Sequence, residues 1–171
     1  MNRHELYPLY QSALVEASDL FRRKNADYGD AWQVCGIVGI FVRLLDKLKR
    51  ANQLLLRGRA LVDESMRDTL LDAANYCLLG IMLDNGSCDL SGYASARNTI
   101  GRHLTFNLKS YLEYTTRPLL QQFDEQIETI GDALKIERDQ IKLKIPSPQL
   151  ILIDCANTCL IIAAKQKWGK V

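Results

Sequence analysis

Apolar residues recur along the chain three or four positions apart, which is the spacing of amphipathic helices, and no stretch alternates in the way of a half-buried strand. The pattern therefore predicts an all-α protein, a helical bundle. The predicted helices span residues 9–24, a segment from Trp32 or Gly36 to Arg57, residues 64–83, an amphipathic region at 97–112, residues 118–144, and a last helix after the Pro146-Ser147-Pro148 break. Gly58 supplies a stop for the second helix, Asp63 an N-cap for the third, and Asn25 to Gly29 a turn.

Two similar short segments suggest that the chain has two halves. Asp72–Leu78 reads DAANYCL and Asp154–Leu160 reads DCANTCL, 82 residues later. Two explanations fit: a duplicated set of helices that has degenerated, or a chance match between two buried helices. We predict two halves, a helical domain over residues 1–86 and a second helical half over 96–171. If the duplication is real, the second half is a degenerate repeat packed on the first.

Composition narrows the function classes. Of 171 residues 47% are hydrophobic and 25% charged, as in ordinary globular proteins, and the net charge of +2 gives no basis for sequence-independent binding of nucleic acid. The longest apolar stretch, 151–164, contains Asp154 and falls short of the roughly 20 residues of a bilayer span. Without a signal-like N-terminus we expect a cytoplasmic protein. The five irregularly spaced cysteines predict small buried side chains rather than a zinc site.

The third predicted helix carries an acidic stripe. Taking about 100° per residue from Glu64, Asp68 lies at about 40°, Asp72 at about 80° and Asn75 at about 20°, so all four share one face. The second half of this helix is apolar nearly all round and therefore buried. Buried carboxylates there need a metal ion or basic side chains as compensation.

Both kinds of compensation are available in the sequence. Asp46 on the second helix is a fourth acid that could join Glu64, Asp68 and Asp72 in holding Mg²⁺ or Mn²⁺. The bases near it, Arg43, Lys47, Lys49 and Arg50, suit phosphate oxygens. The alternative is an ion-pair network that joins Arg43 and Arg50 to Glu64 and Asp68 with no ligand.

The segment from Lys24 to Trp32, KNADYGDAW, offers a cation, two acids, an amide and two aromatic rings. Tyr28 or Trp32 could stack on a nucleobase, and Lys24 could reach a phosphate. The alternative is a capping loop whose aromatic rings fill the end of the bundle.

Three segments resemble the nucleotide modification associated domain 1 family, which occurs largely in phage and bacterial genomes. They are Lys24–Gly29 (KNADYG), Asp46-Lys47 with Arg50, and Asp63–Tyr76 (DESMRDTLLDAANY), within a resemblance that covers about residues 10–85. By extension the chain is similar to the all-α nucleoside triphosphate pyrophosphohydrolases, the MazG-like and dimeric dUTPase group.

This resemblance implies a Mg²⁺-dependent hydrolase that converts a (deoxy)nucleoside triphosphate to monophosphate and pyrophosphate, and a homodimer or higher homo-oligomer. The metal ligands would be Asp46, Glu64, Asp68 and Asp72, with Glu64 or Asp68 taking the proton of the attacking water. The residues that would contact the nucleotide are Lys24, Asp27, Tyr28, Trp32, Lys47, Arg50 and Asn75.

The acidic motifs of those enzymes are incomplete in this chain. Lys49 stands three residues after Asp46, where those enzymes have an acid. Thr69 likewise occupies the position three residues before Asp72, where an acid would complete the second motif. Two further hypotheses therefore stand beside the enzyme: a non-catalytic protein that binds or sequesters a nucleotide, and a structural bundle with ion-paired acids.

Overall fold

The computed structural model describes residues 2–57, 65–113 and 148–167, together with the isolated positions 125, 128, 129 and 132. The helices in the three continuous ranges are α1 (Arg3–Tyr28), α2 (Ala31–Val34), α3 (Gly36–Arg57), α4 (Met66–Asp84), α5 (Leu90–Glu113) and α6 (Pro148–Lys167). These ranges contain no strand, so the all-α prediction is confirmed. Gly58, Asp63, Glu64 and most of the predicted helix 118–144 lie outside the described residues.

Helix α1 is longer at both ends than the predicted 9–24. Its start is fixed by a capping box, in which the Asn2 side chain accepts from the Glu5 amide and the Glu5 carboxylate accepts from the Asn2 amide. At the other end Asn25–Tyr28, predicted as a turn, continue the helix. The helix stops at Gly29, whose φ of 58° favours glycine and whose N–H bonds the Asn25 carbonyl at 2.8 Å.

Helix α4 lies at the centre of the bundle. From Thr69 to Met82 every residue except Tyr76 is buried, and α4 packs most extensively on α6 and then on α3. Helix α6 is buried from Leu152 to Ala164, apart from Asp154. Because apolar residues surround α4 and α6 on all sides, neither helix has the one-sided pattern of a surface helix. None of the described helices is long and apolar enough to cross a membrane.

Three of the five cysteines are part of this core. Cys77 on α4 and Cys155 and Cys159 on α6 are fully buried, whereas Cys35 is exposed and Cys88 is half-buried. All five are free thiols. Burial raises the pKa of the Cys77 and Cys159 thiols. A raised pKa keeps these two thiols protonated and unreactive at neutral pH.

Gly80 allows three helices to approach one another. A Cβ at this position would lie 2.7 Å from Leu152 Cδ1 of α6 and 3.3 Å from Ile40 Cγ2 of α3. Glycine in a helix usually costs about 0.5–1 kcal/mol relative to alanine. Its presence in the middle of α4 is therefore explained by packing.

We expect Gly80→Ala to destabilise the protein by about 1–3 kcal/mol, because the overpacked methyl group outweighs the helix-propensity gain. Gly101→Ala on α5 is the matched control, since a Cβ there meets no atom within 4 Å and only the propensity gain remains. Urea unfolding with an unchanged m value measures both changes. Equal stabilisation by the two substitutions would contradict the close approach at Gly80.

Two asparagines make matching buried hydrogen bonds across the bundle. On α4, Asn75 Nδ2 donates to the Ala17 carbonyl of α1 at 2.9 Å, and Asn75 Oδ1 accepts from the Tyr93 hydroxyl of α5 at 2.7 Å. Both polar atoms of the amide are thus satisfied by two different helices.

On α6, Asn157 repeats this arrangement with α1 and α5 exchanged. Asn157 Nδ2 donates to the Ile100 carbonyl of α5 at 3.1 Å, and Asn157 Oδ1 accepts from the Tyr10 hydroxyl of α1 at 2.7 Å. The separation is 83 residues from Tyr10 to Tyr93 and 82 residues from Asn75 to Asn157. The hydrogen-bond pattern therefore follows an approximate twofold relation that exchanges α1 with α5 and α4 with α6.

Candidate functional site

The acidic side chain at the centre of the site is Asp72, which is buried on α4. Lys24, near the end of α1, donates to Asp72 Oδ1 at 2.5 Å, and Lys47 of α3 approaches Asp72 Oδ2 at 2.9 Å. Each carboxylate oxygen thus faces an ammonium group from a different helix. The side chain of Lys24 is 47% exposed and that of Lys47 is 23% exposed, so this ion-paired cluster lies at the edge of the core.

Arg50 extends the basic side of this cluster by one turn of α3. Its Nε donates to Thr69 Oγ1 on α4 at 3.1 Å, and Thr69 Oγ1 in turn donates to the Ser65 carbonyl. Residues three apart on a helix lie on the same side, so Lys47 and Arg50 both lie toward α4. We name Lys24, Lys47, Arg50 and Asp72 the Asp72 cluster.

Asp68 has a local role at the start of α4. The Ser65 side chain accepts from the Asp68 amide at 3.1 Å, and the Asp68 carboxylate accepts from the Ser65 amide at 3.3 Å and from the Ser65 hydroxyl at 2.7 Å. This is a capping box, and Asp68 is exposed. Ser65 therefore is the N-cap of α4, two residues after the predicted Asp63.

The other predicted metal ligands are not collected around Asp72 in the part of the chain that the structure describes. Asp46 is exposed on α3, and Glu64 lies outside the described residues. Nowhere in residues 2–57, 65–113 and 148–167 do three His, Cys, Asp or Glu side chains form a group that could hold a metal ion. The structure brings Lys24, Lys47 and Asp72 together, while Asp46 is exposed and Asp68 is bonded to Ser65 at the helix cap.

The donor chemistry of the described residues does not fit a divalent cation at Asp72. Both Asp72 oxygens are bonded to ammonium groups, and the Asp68 carboxylate is bonded at the helix cap. A divalent cation placed there would have to displace two lysines and would meet their positive charges. Binding of Mg²⁺ or Mn²⁺ therefore stays a prediction from the sequence.

The aromatic residues predicted to stack on a base differ in their accessibility. Tyr28 is 75% exposed at the end of α1, and Asp27 beside it is exposed as well. Trp32 is half-buried against the core, and its indole N–H donates to Asn25 Oδ1 at 3.3 Å. Of the two rings, Tyr28 is the accessible one.

Asn75, predicted to contact the nucleotide, lies inside the bundle with both amide atoms bonded to Ala17 and Tyr93. The Tyr93 ring stacks on Phe21 with centroids 4.2 Å apart and planes 3° from parallel. Burial raises the pKa of the Tyr93 hydroxyl to about 12, so this hydroxyl stays a hydrogen-bond donor at neutral pH. Asn75 therefore joins α4 to its neighbours.

Sequence reasoning missed several partners of these side chains. Thr69, which interrupts the acidic spacing, is the acceptor for Arg50. Arg67 is bonded to Glu16 of α1 through Nε at 2.9 Å and through Nη2 at 2.6 Å. Nothing in the local sequence signals these contacts, because each joins side chains of two different helices. Tyr93 could have been found from the sequence, since it follows Tyr10 by 83 residues, close to the 82 residues that separate Asn75 from Asn157.

Comparison with known proteins bears on the segment that contains the Asp72 cluster. Residues 24–83 match the family model described as nucleotide modification associated domain 1. The matched segment is about a third of the chain, and it runs from Lys24 at the end of α1 through α2 and α3 to the last turn of α4. No curated protein and no solved structure matches the chain. All four residues of the Asp72 cluster lie within the matched segment.

Proposed function

We propose that this protein binds a (deoxy)nucleotide through its phosphate groups at the Asp72 cluster. The observation that carries this proposal is the convergence of Lys24 and Lys47, from two helices, on one buried carboxylate. With Arg50 the cluster holds three cationic side chains and one acidic side chain. Lys24, whose side chain is half exposed, places positive charge at the edge of the bundle, where it can attract an anion.

Lys24 carries more N–H donors than the one that Asp72 accepts. An ammonium group carries three N–H donors and a guanidinium five, in a planar fork that suits phosphate oxygens. Asp72 occupies one donor of Lys24, whose side chain is half exposed. Asp72 thus acts as a buried counter-ion that holds the two lysines in position for a more exposed phosphate. The description of the matched family, nucleotide modification associated, supports a nucleotide as the source of that phosphate.

The second candidate is the Mg²⁺-dependent pyrophosphohydrolase predicted from the sequence. It is favoured by the presence of Asp46, Glu64, Asp68 and Asp72 in the same family-matched segment. The described residues supply no ligand set for the metal, so no catalytic step is derived. We therefore rank nucleotide binding without hydrolysis first.

Calorimetric titration with ATP and dTTP in the presence of EDTA tests the binding proposal. We expect Lys47→Met to weaken the affinity about tenfold or more, since hydrogen bonds to charged groups contribute about 1.5–3 kcal/mol. Lys49→Met is the matched control: Lys49 is exposed on the same helix and lies outside the cluster. Equal losses in the two variants, or no binding to the unmodified protein, would reject the phosphate site.

Release of pyrophosphate in the presence of Mg²⁺ or Mn²⁺ separates the two candidates. A binding protein gives no pyrophosphate above background. Turnover that Asp72→Ala abolishes in a chain that still folds would favour the hydrolase, because that substitution removes a predicted metal ligand.

A further inference from the structure

A polar groove between α1 and α5 lies away from the Asp72 cluster. It encloses about 690 Å³, within the range of small-molecule sites, and its wall includes Tyr7, Gln11, Ser95, Arg97, Asn98 and Arg102. The α1 residues of this wall end at Leu14, ten positions before Lys24, which corresponds to about 15 Å along the helix. The groove shares no residue with the Asp72 cluster.

The described lining of the groove carries positive charge. Two arginines line it, and none of the lining residues within the described part of the chain is acidic. Arg97 Nε is buried and has no hydrogen-bond partner in the part of the chain that the structure describes. A buried N–H without a partner is unfavourable, and a bound anion would satisfy it. A guanidinium group accommodates two oxygens of a phosphate or carboxylate at once.

The remaining wall residues indicate the kind of anion. The side chains of Gln11, Ser95 and Asn98 provide neutral hydrogen-bond donors beside the arginines, and the Tyr7 ring is 44% exposed at the rim. An exposed aromatic ring offers a face on which a planar ring can stack. We propose that the groove between α1 and α5 is a second small-molecule site, which binds a phosphorylated compound that carries a planar ring.

Gly101 gives this proposal a steric test that leaves the charges unchanged. It lines the groove, and a Cβ built on it meets no atom within 4 Å. A larger side chain at this position therefore extends into the groove without displacing the core. Gly101→Leu should block the ligand and leave the melting temperature of the free protein unchanged or raised.

The experiment titrates the full chain with adenosine monophosphate, inorganic phosphate and adenosine, in a Lys47→Met background that weakens the Asp72 cluster. We expect adenosine monophosphate to bind, phosphate to compete with it, and adenosine to bind at least tenfold more weakly. Arg97→Met, which keeps the aliphatic stem, and Gly101→Leu should each reduce the affinity at least tenfold. Arg23→Met, at an exposed position on α1, should change it less than twofold.

Three results would overturn the proposal: no binding of adenosine monophosphate, equal affinities for adenosine and its monophosphate, or full affinity in Gly101→Leu. If Arg97→Met fails to fold, Gly101→Leu still decides. Lys47→Met weakens the Asp72 cluster. Binding that remains in this background and is lost in Gly101→Leu therefore belongs to the groove. The two proposals can therefore fail independently.

Discussion

Replacing Asn75 with leucine is expected to lower the free energy of unfolding by about 3 kcal/mol. Leucine has the same number and branching of side-chain heavy atoms as asparagine, but it leaves the Tyr93 hydroxyl and the Ala17 carbonyl buried without partners. Each such group costs about 1–3 kcal/mol. Urea unfolding followed by circular dichroism measures the change, provided that the transition remains two-state.

A double-mutant cycle isolates the hydrogen bond from the effect of side-chain shape. The double variant Asn75→Leu/Tyr93→Phe has no unpartnered hydroxyl. It should therefore be more stable than the sum of the stability losses in the two single variants predicts. Tyr28→Phe is the control for removal of a hydroxyl, because Tyr28 is 75% exposed, and it should change stability by less than about 0.5 kcal/mol. Strict additivity in the cycle would contradict the buried Asn75–Tyr93 bond.

Asp72→Asn should destabilise the chain by about 2 kcal/mol. Removal of one partner from a fully buried ion pair costs about 3–5 kcal/mol, and the partial exposure of both lysines reduces this cost. Asparagine has nearly the same shape as aspartate, so the loss of stability measures the effect of removing the charge. Thermal and urea unfolding at low and high salt measure it, and salt should narrow the difference because it screens the lysines left behind.

Asp68→Asn is the control on the same helix. Asp68 is exposed at the capping box, so its replacement should cost no more than about 1 kcal/mol. Binding of ATP in EDTA should weaken less in Asp72→Asn than in Lys47→Met, because both lysines remain although Asp72 no longer holds them in position. Loss of this binding together with unchanged stability would instead assign Asp72 to direct ligand contact.

The helical pattern was sufficient to predict the fold class, since apolar periodicity is a local property of the chain. The helix ends were predicted less well. Asn25 to Tyr28 looked like a turn, yet the helix continues through Tyr28, and the positive φ that ends it falls at Gly29. Ser65 rather than Asp63 is the N-cap of α4, since its hydroxyl and the Asp68 carboxylate satisfy each other's amides.

The candidate site was predicted in part. The helical angles showed that Asp72 needs a positive partner, and the structure supplies two lysines at that carboxylate. The angles could not decide between lysines and a metal ion, because that choice depends on which neighbouring helix faces Asp72. They also grouped Asp68 with Asp72, although Asp68 lies in the first turn of α4 and is bonded to the capping residue Ser65.

The crossed bonding of the two asparagines makes the halves of this chain interdependent. The hydroxyl that satisfies Asn75 belongs to Tyr93, and the one that satisfies Asn157 belongs to Tyr10, so each half supplies the donor that the other half lacks. A chain severed between α4 and α5 would leave both amides incomplete and would expose the apolar surface where α4 meets α6. Two such fragments would regain their structure only by binding each other, as in a split-protein complementation pair.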